Sequence, residues 1–160
     1  MYLHSVVLTA LSLLTLTAAH FEIQYPPGRA ESSKDAPCGG AGVSSQREPW
    51  PLTGGEVKFK TEHDQSNAEV WLYVGNNPQG NSDFTINLKP VFLQTGLGVF
   101  CWDTLSVPKG TAGVEDGANA TIQLRLSGDD GALYAVSSFP SSFSPLFLGR
   151  RIQSPQMLIE

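Results

Sequence analysis

Apolar and polar residues alternate one for one in short runs along this chain, and Gly, Pro, Asn and Asp stand between the runs. Phe21, Ile23 and Tyr25 alternate with Glu22 and Gln24; Val57, Phe59 and Thr61 alternate with Glu56, Lys58 and Lys60. Phe84, Ile86 and Leu88 alternate with Thr85, Asn87 and Lys89, and Ile122, Leu124 and Leu126 alternate with Gln123 and Arg125. A period of two turns one side of each run to a core and the other to water, the pattern of a half-buried strand. Val70 to Val74 is apolar on both faces and reads as a further strand. Pro26-Pro27-Gly28 and Asn76-Asn77-Pro78-Gln79-Gly80 are turns, and Pro90 is expected to stop the run that begins at Phe84. Gly96 and Gly98 frame a short segment leading to Phe100 and Cys101. Gly128-Asp129-Asp130-Gly131 predicts a hairpin, with Ala132-Leu133-Tyr134 as the start of its return arm. Residues 28–55 read as a long irregular segment pinned by Cys38. Short strands, regular turns and no helical periodicity predict an all-β fold, an antiparallel β-sandwich.

The return arm should go on alternating, yet from Val136 the chain reads Val-Ser-Ser-Phe-Pro-Ser-Ser-Phe-Ser-Pro, followed by Arg150-Arg151. Pro140 and Pro145 argue against a central strand there. Val136-Ser137 can be encoded by a splice-donor sequence, so residues 136–160 are taken as an atypical tail, a translated intron, and the sandwich is expected to lack its last strand.

Residues 1–19 read as a secretory leader. The apolar stretch from Val6 to Leu16 is shorter than the roughly 20 residues of a membrane-spanning helix, and Thr17-Ala18-Ala19 supplies the small residues of a cleavage site. Secretion would leave one domain, residues 20–135, and the tail. Two cysteines in an oxidising compartment predict one disulfide, Cys38–Cys101. Asn119-Ala120-Thr121 is a glycosylation acceptor sequence, with Asn119 as the modified residue. The formal charge of −5 falls entirely on residues after the leader and speaks against nucleic-acid binding.

Cleavage after Ala19 makes His20 the first residue, and a first-residue histidine carries an α-amine and a ring Nδ1 that can chelate one metal together. A second imidazole opposite would complete a roughly planar set of three nitrogens, which suits Cu(II). The amine, with a free pKa of about 7.7–8.0, gives up its proton at pH 7 for only about 1 kcal/mol. His4 leaves with the leader, so the second imidazole is His63, just past the second strand and in phase with Val57, Phe59 and Thr61.

His20-Phe-Glu-Ile-Gln-Tyr-Pro-Pro27, Ala36-Pro-Cys-Gly-Gly40, Gly54-Gly55, His63, Thr95-Gly-Leu-Gly98 with Phe100-Cys101, Asp116-Gly-Ala-Asn-Ala-Thr121 and Gly128-Asp-Asp-Gly-Ala-Leu-Tyr134 follow one another in a single order. Over residues 1–135 this set resembles the fungal copper proteins that are similar in fold to lytic polysaccharide monooxygenases, the copper acquisition factors among them. The resemblance implies an immunoglobulin-like β-sandwich holding one copper per chain in a histidine brace, with an aspartate as an added ligand. Carried onto this chain, the brace is His20 (amine and ring) and His63 (ring), with Asp130 as the chosen carboxylate and Asp116 and Asp129 as alternatives. A carboxylate favours Cu(II) over Cu(I) and shields the face on which oxygen would react. Trp50, Trp71 and Trp102 could stack on sugar, although Trp71 and Trp102 read as packing residues. Copper binding and delivery is therefore favoured over catalysis, and no catalytic residue is assigned. A copper-dependent polysaccharide monooxygenase is the alternative, and a wall module without metal a third reading.

The resemblance also places a cysteine where this chain has Val136, which puts the Cys38–Cys101 pairing in question. It implies a secreted monomer at the cell surface or wall, with a copper transporter or a wall glycan as its partner. Relatives often end in a lipid-anchor signal; Gly149 to Glu160, with two arginines and no apolar end, does not read as one.

Overall fold

The computed structural model describes residues 20–129 and 131–142; residues 1–19, Asp130 and residues 143–160 lie outside the described residues. The eight strands are β1 (Phe21–Tyr25), β2 (Trp50–Pro51), β3 (Gly55–Thr61), β4 (Gln65–Val74), β5 (Ile86–Thr95), β6 (Gly98–Leu105), β7 (Asn119–Gly128) and β8 (Gly131–Ser142). One 3-10 turn, Asn81–Asp83, stands between β4 and β5. The strands form a three-stranded sheet in the order β1-β3-β6 and a five-stranded sheet in the order β2-β8-β7-β4-β5. Every pairing is antiparallel except the two-residue match of β2 to β8. The fold is an all-β, immunoglobulin-like sandwich.

Alternation decides what lies between the sheets. Phe21, Ile23, Val57, Phe59 and Phe100 point inward from the smaller sheet, and Val70, Leu72, Ile122, Leu124, Leu126 and Ala135 from the larger one, in one continuous core. Phe59 stacks on Trp102 at 4.9 Å and on Phe100 at 5.4 Å, which ties β3 to β6 from within.

The outer face of the five-stranded sheet is covered as well. The long segment after Pro27 crosses it, held by Arg29, which donates to Ser138 Oγ at 2.7 Å, Thr121 Oγ1 at 3.0 Å and the Asn76 carbonyl at 2.7 Å. Burial lowers the Arg29 pKa from its usual value. Gln123 donates to the Pro37 carbonyl at 2.6 Å and so anchors the same segment. Beneath it Cys38, Phe84 and Val136 form a second apolar cluster, joined by Trp71 and Tyr73.

Three expectations are corrected. First, Pro90 does not stop its strand. β5 is an edge strand, and its register against β4 shifts between Ala68, paired with Phe92, and Val70, paired with Lys89. A bulge on an edge is where a residue without an N–H is tolerated. Second, the return arm does not break at Val136 or Pro140: β8 continues to Ser142. Thr121 pairs with Ser138, Ala120 with Phe139 and Asn119 with Pro140. Phe139 is fully buried, 5.2 Å from Trp50. Third, the Cys38–Cys101 disulfide is not formed; both thiols are free. Cys38 lies in the cluster outside the five-stranded sheet, whereas Cys101 pairs with Lys58 on the outward side of the three-stranded sheet. Two packed sheets are about 10 Å apart, and a bridge needs Cα atoms within roughly 7 Å. Burial, then the hydrogen bond to Glu56, pushes the Cys101 thiol up to about 12, so it stays protonated and unreactive at neutral pH.

Candidate metal centre

One end of the sandwich holds His20, His63 and Asp129. Phe21 of β1 lies opposite Thr61 of β3, and the Glu62 N–H donates to the His20 carbonyl at 3.0 Å. His20 therefore enters the fold directly beside the chain that leads to His63. His63 continues the inward phase of Val57, Phe59 and Thr61 past the end of β3, and it is only 8% exposed. Its ring reaches the β7–β8 hairpin: a methyl group built on Gly128 would stand 4.0 Å from His63 Nδ1. Gly128 pairs with Gly131 across that hairpin, which carries Asp129 at its tip.

The ring of His63 has an unanswered atom. Its Nε2 is buried and has no hydrogen-bond partner. A buried polar nitrogen left alone destabilises a fold, so such an atom points to a guest that supplies the missing bond. Neutral imidazole nitrogen is a good donor to copper and zinc. The main chain of His63, by contrast, is held on both sides. Its N–H donates to Thr61 Oγ1 at 3.0 Å, and its carbonyl accepts from Gln94 Nε2 at 3.3 Å.

The carboxylate candidates separate by topology. Asp129 is exposed in the turn next to Gly128, at the His63 end. Asp116 precedes β7 at its opposite end, where Ala120 pairs with Val74. The ten residues of β7 span about 30 Å, so Asp116 does not share a site with His63. Asp130 lies outside the described residues. Asn119 is exposed at the first position of β7, at the far end from the histidines.

Among the described residues, no group of three or more His, Cys, Asp or Glu side chains stands close enough to hold a metal ion. A brace would not register as such a group, because it uses two side chains and a backbone amine. His20, Phe21, Glu22, Glu31, Lys60 and Glu62 line a shallow hollow of about 130 Å³. Its three carboxylates face one ammonium, a balance that attracts cations.

No tryptophan offers a flat sugar platform. Trp50 is fully buried, Trp102 stacks on Phe59, and Trp71 packs into the cluster around Cys38. Sequence reading missed Gln94 and Thr61. Their signal was a polar residue at a core-facing position, since Gln94 shares the phase of Phe92 on β5 and Thr61 that of Phe59 on β3.

The chain is 37% identical over 140 residues to an uncharacterised protein of Aspergillus fumigatus, covering 82% of this chain and 57% of that one. It is 30% identical over 145 residues to the copper acquisition factor BIM1 of Cryptococcus neoformans var. grubii, covering 84% and 65%. It is 34% identical over 152 residues to the lytic polysaccharide monooxygenase-like protein ham-7 of Neurospora crassa, covering 80% and 66%. The chain thus spans about three fifths of the length of these relatives. The family model described as copper acquisition factor BIM1-like matches residues 18–137, nearly the whole of the described sandwich, and the chain belongs to that family.

Proposed function

We propose that this chain, freed of residues 1–19, binds one copper ion through the His20 amine and ring and the His63 ring, and works in copper acquisition or homeostasis at the fungal cell surface. Family membership gives the chain a copper-related function. The observation that carries the finer reading is the buried, partnerless Nε2 of His63 at the end of the sandwich where His20 leads into β1. The donor set is nitrogen-rich, which suits Cu(II). A carboxylate from Asp130 or Asp129 would add charge and favour the oxidised ion. Copper here is cargo: the protein fixes the imidazole of His63, keeps its nitrogen out of water and presents the end of the sandwich to a delivery partner such as a copper transporter. The exposed Asn119, at the other end, could carry a glycan without crowding the site.

The test is a Cu(II) titration of the chain beginning at His20 against its His63→Ala variant. The proposal expects tight binding of one equivalent and a loss of about a hundredfold in the variant, roughly 2.7 kcal/mol. Equal affinities would refute the role of His63. Oxidised oligosaccharides released from chitin or cellulose in the presence of a reductant would place the chain with the polysaccharide oxidases instead.

A further inference from the structure

A wholly buried amide stands behind His63, and we propose that Gln94 is a positioning residue for copper binding. This inference rests on the copper reading above. Gln94 is 0% exposed, in a place where an unmet amide would destabilise the fold. Each of its groups is met. The Ser66 hydroxyl donates to Oε1 at 2.6 Å, and Nε2 donates to the His63 carbonyl at 3.3 Å and to the Gly96 carbonyl. With both ends engaged, the planar group has one orientation.

The amide thus clamps the turn from β3 to β4, which holds His63, to the β5–β6 turn at Gly96, where the β4–β5 ladder ends at the Gln65–Thr95 pair. The Gly96 N–H adds a bond to the Asp64 carbonyl at 2.7 Å. Thr61 and Gln94, both buried, hold the N–H and the carbonyl of His63, while Nε2 of the same residue is left without a partner. A ligand residue needs this division, with its backbone fixed by the protein and its ring reserved for the guest. An apolar side chain of Gln94's size would fill the same space but would leave the His63 and Gly96 carbonyls without this donor and His63 free to shift.

Partners of ligand residues typically change metal affinity by 10- to 100-fold when removed. In the chain beginning at His20, Gln94→Met keeps the volume and loses both donors, and Gln94→Glu keeps the acceptor for Ser66 and loses the donors. Both are expected to weaken Cu(II) about tenfold or more and to alter the Cu(II) electron paramagnetic resonance spectrum. Ser66→Ala, a milder change, is expected to weaken binding by a few-fold. Leu105→Ala, a core truncation at the opposite end of the sandwich, is expected to lower the melting temperature while leaving affinity and spectrum unchanged. In a His63→Ala background, Gln94→Met should have no further effect on affinity. Folded Gln94 and Ser66 variants with wild-type affinity and spectrum would overturn the proposal, as would an equal loss in Leu105→Ala. If the unmodified chain binds no copper, the copper reading itself fails. If it binds copper through His63 and the Gln94 variants bind equally well, the positioning role alone fails.

Discussion

A chain that begins at His20 is expected to hold Cu(II) on the order of 10³-fold more tightly than the same chain with its α-amine acetylated, about 4 kcal/mol. The difference is chemical rather than structural. Acetylation turns the His20 amine into an amide and leaves no terminal amine to anchor the metal beside it, so the two-point chelate on His20 falls to its ring alone. The fold is not expected to change, because the bond that seats this residue runs from the Glu62 N–H to the His20 carbonyl, which acetylation leaves in place. Competition against a chelator of known affinity, with matching melting curves for the two proteins, measures the effect. Affinities within threefold of each other would show that the amine takes no part.

Phe139→Ala is expected to lower stability by about 3–5 kcal/mol, with a fall in melting temperature of roughly 10–20 °C. Phe139 has no exposed surface, packs on Trp50 at 5.2 Å and stands opposite Ala120 in the central β7–β8 pairing. Its removal leaves a ring-sized gap between a central strand and the segment that carries Trp50. Denaturant unfolding followed by tryptophan fluorescence reads the loss directly. A loss under about 1 kcal/mol would mean that the chain after Val136 is not part of the folded sandwich, as the reading of a foreign tail supposes.

The strand core was legible because alternation is a direct record of which side faces a core. β1 and β3 follow it residue by residue, and His63 could be placed at the rim because it keeps the phase of Val57, Phe59 and Thr61. The end of β8 was hidden for a physical reason. Serines interrupt the apolar pattern, yet Ser137 donates to the Pro26 carbonyl at 2.7 Å and Ser138 accepts from Arg29, so their polarity is met inside the protein. Those bonds come from a loop more than a hundred residues earlier, which no local pattern reveals. Pro90 misled in the same way, since its tolerance depends on β5 being an edge. Pairing Cys38 with Cys101 followed from their number alone; the two lie on opposite outer faces of the sandwich, which counting cannot show.

Within the candidate site, the two histidines were legible from scarcity and position. Gln94 was not, because its function depends on a turn brought near only by the β4–β5 pairing. Among the carboxylates, chain topology separates Asp116 from His63 by the length of β7, a distance no motif records.

The most direct test of the account is the electron paramagnetic resonance spectrum of one equivalent of isotopically pure Cu(II) on the chain beginning at His20. The account predicts an axial signal with superhyperfine structure from three nitrogens, and the loss of one of them in His63→Ala. A spectrum that lacks nitrogen coupling, or that is the same in His63→Ala, would contradict it.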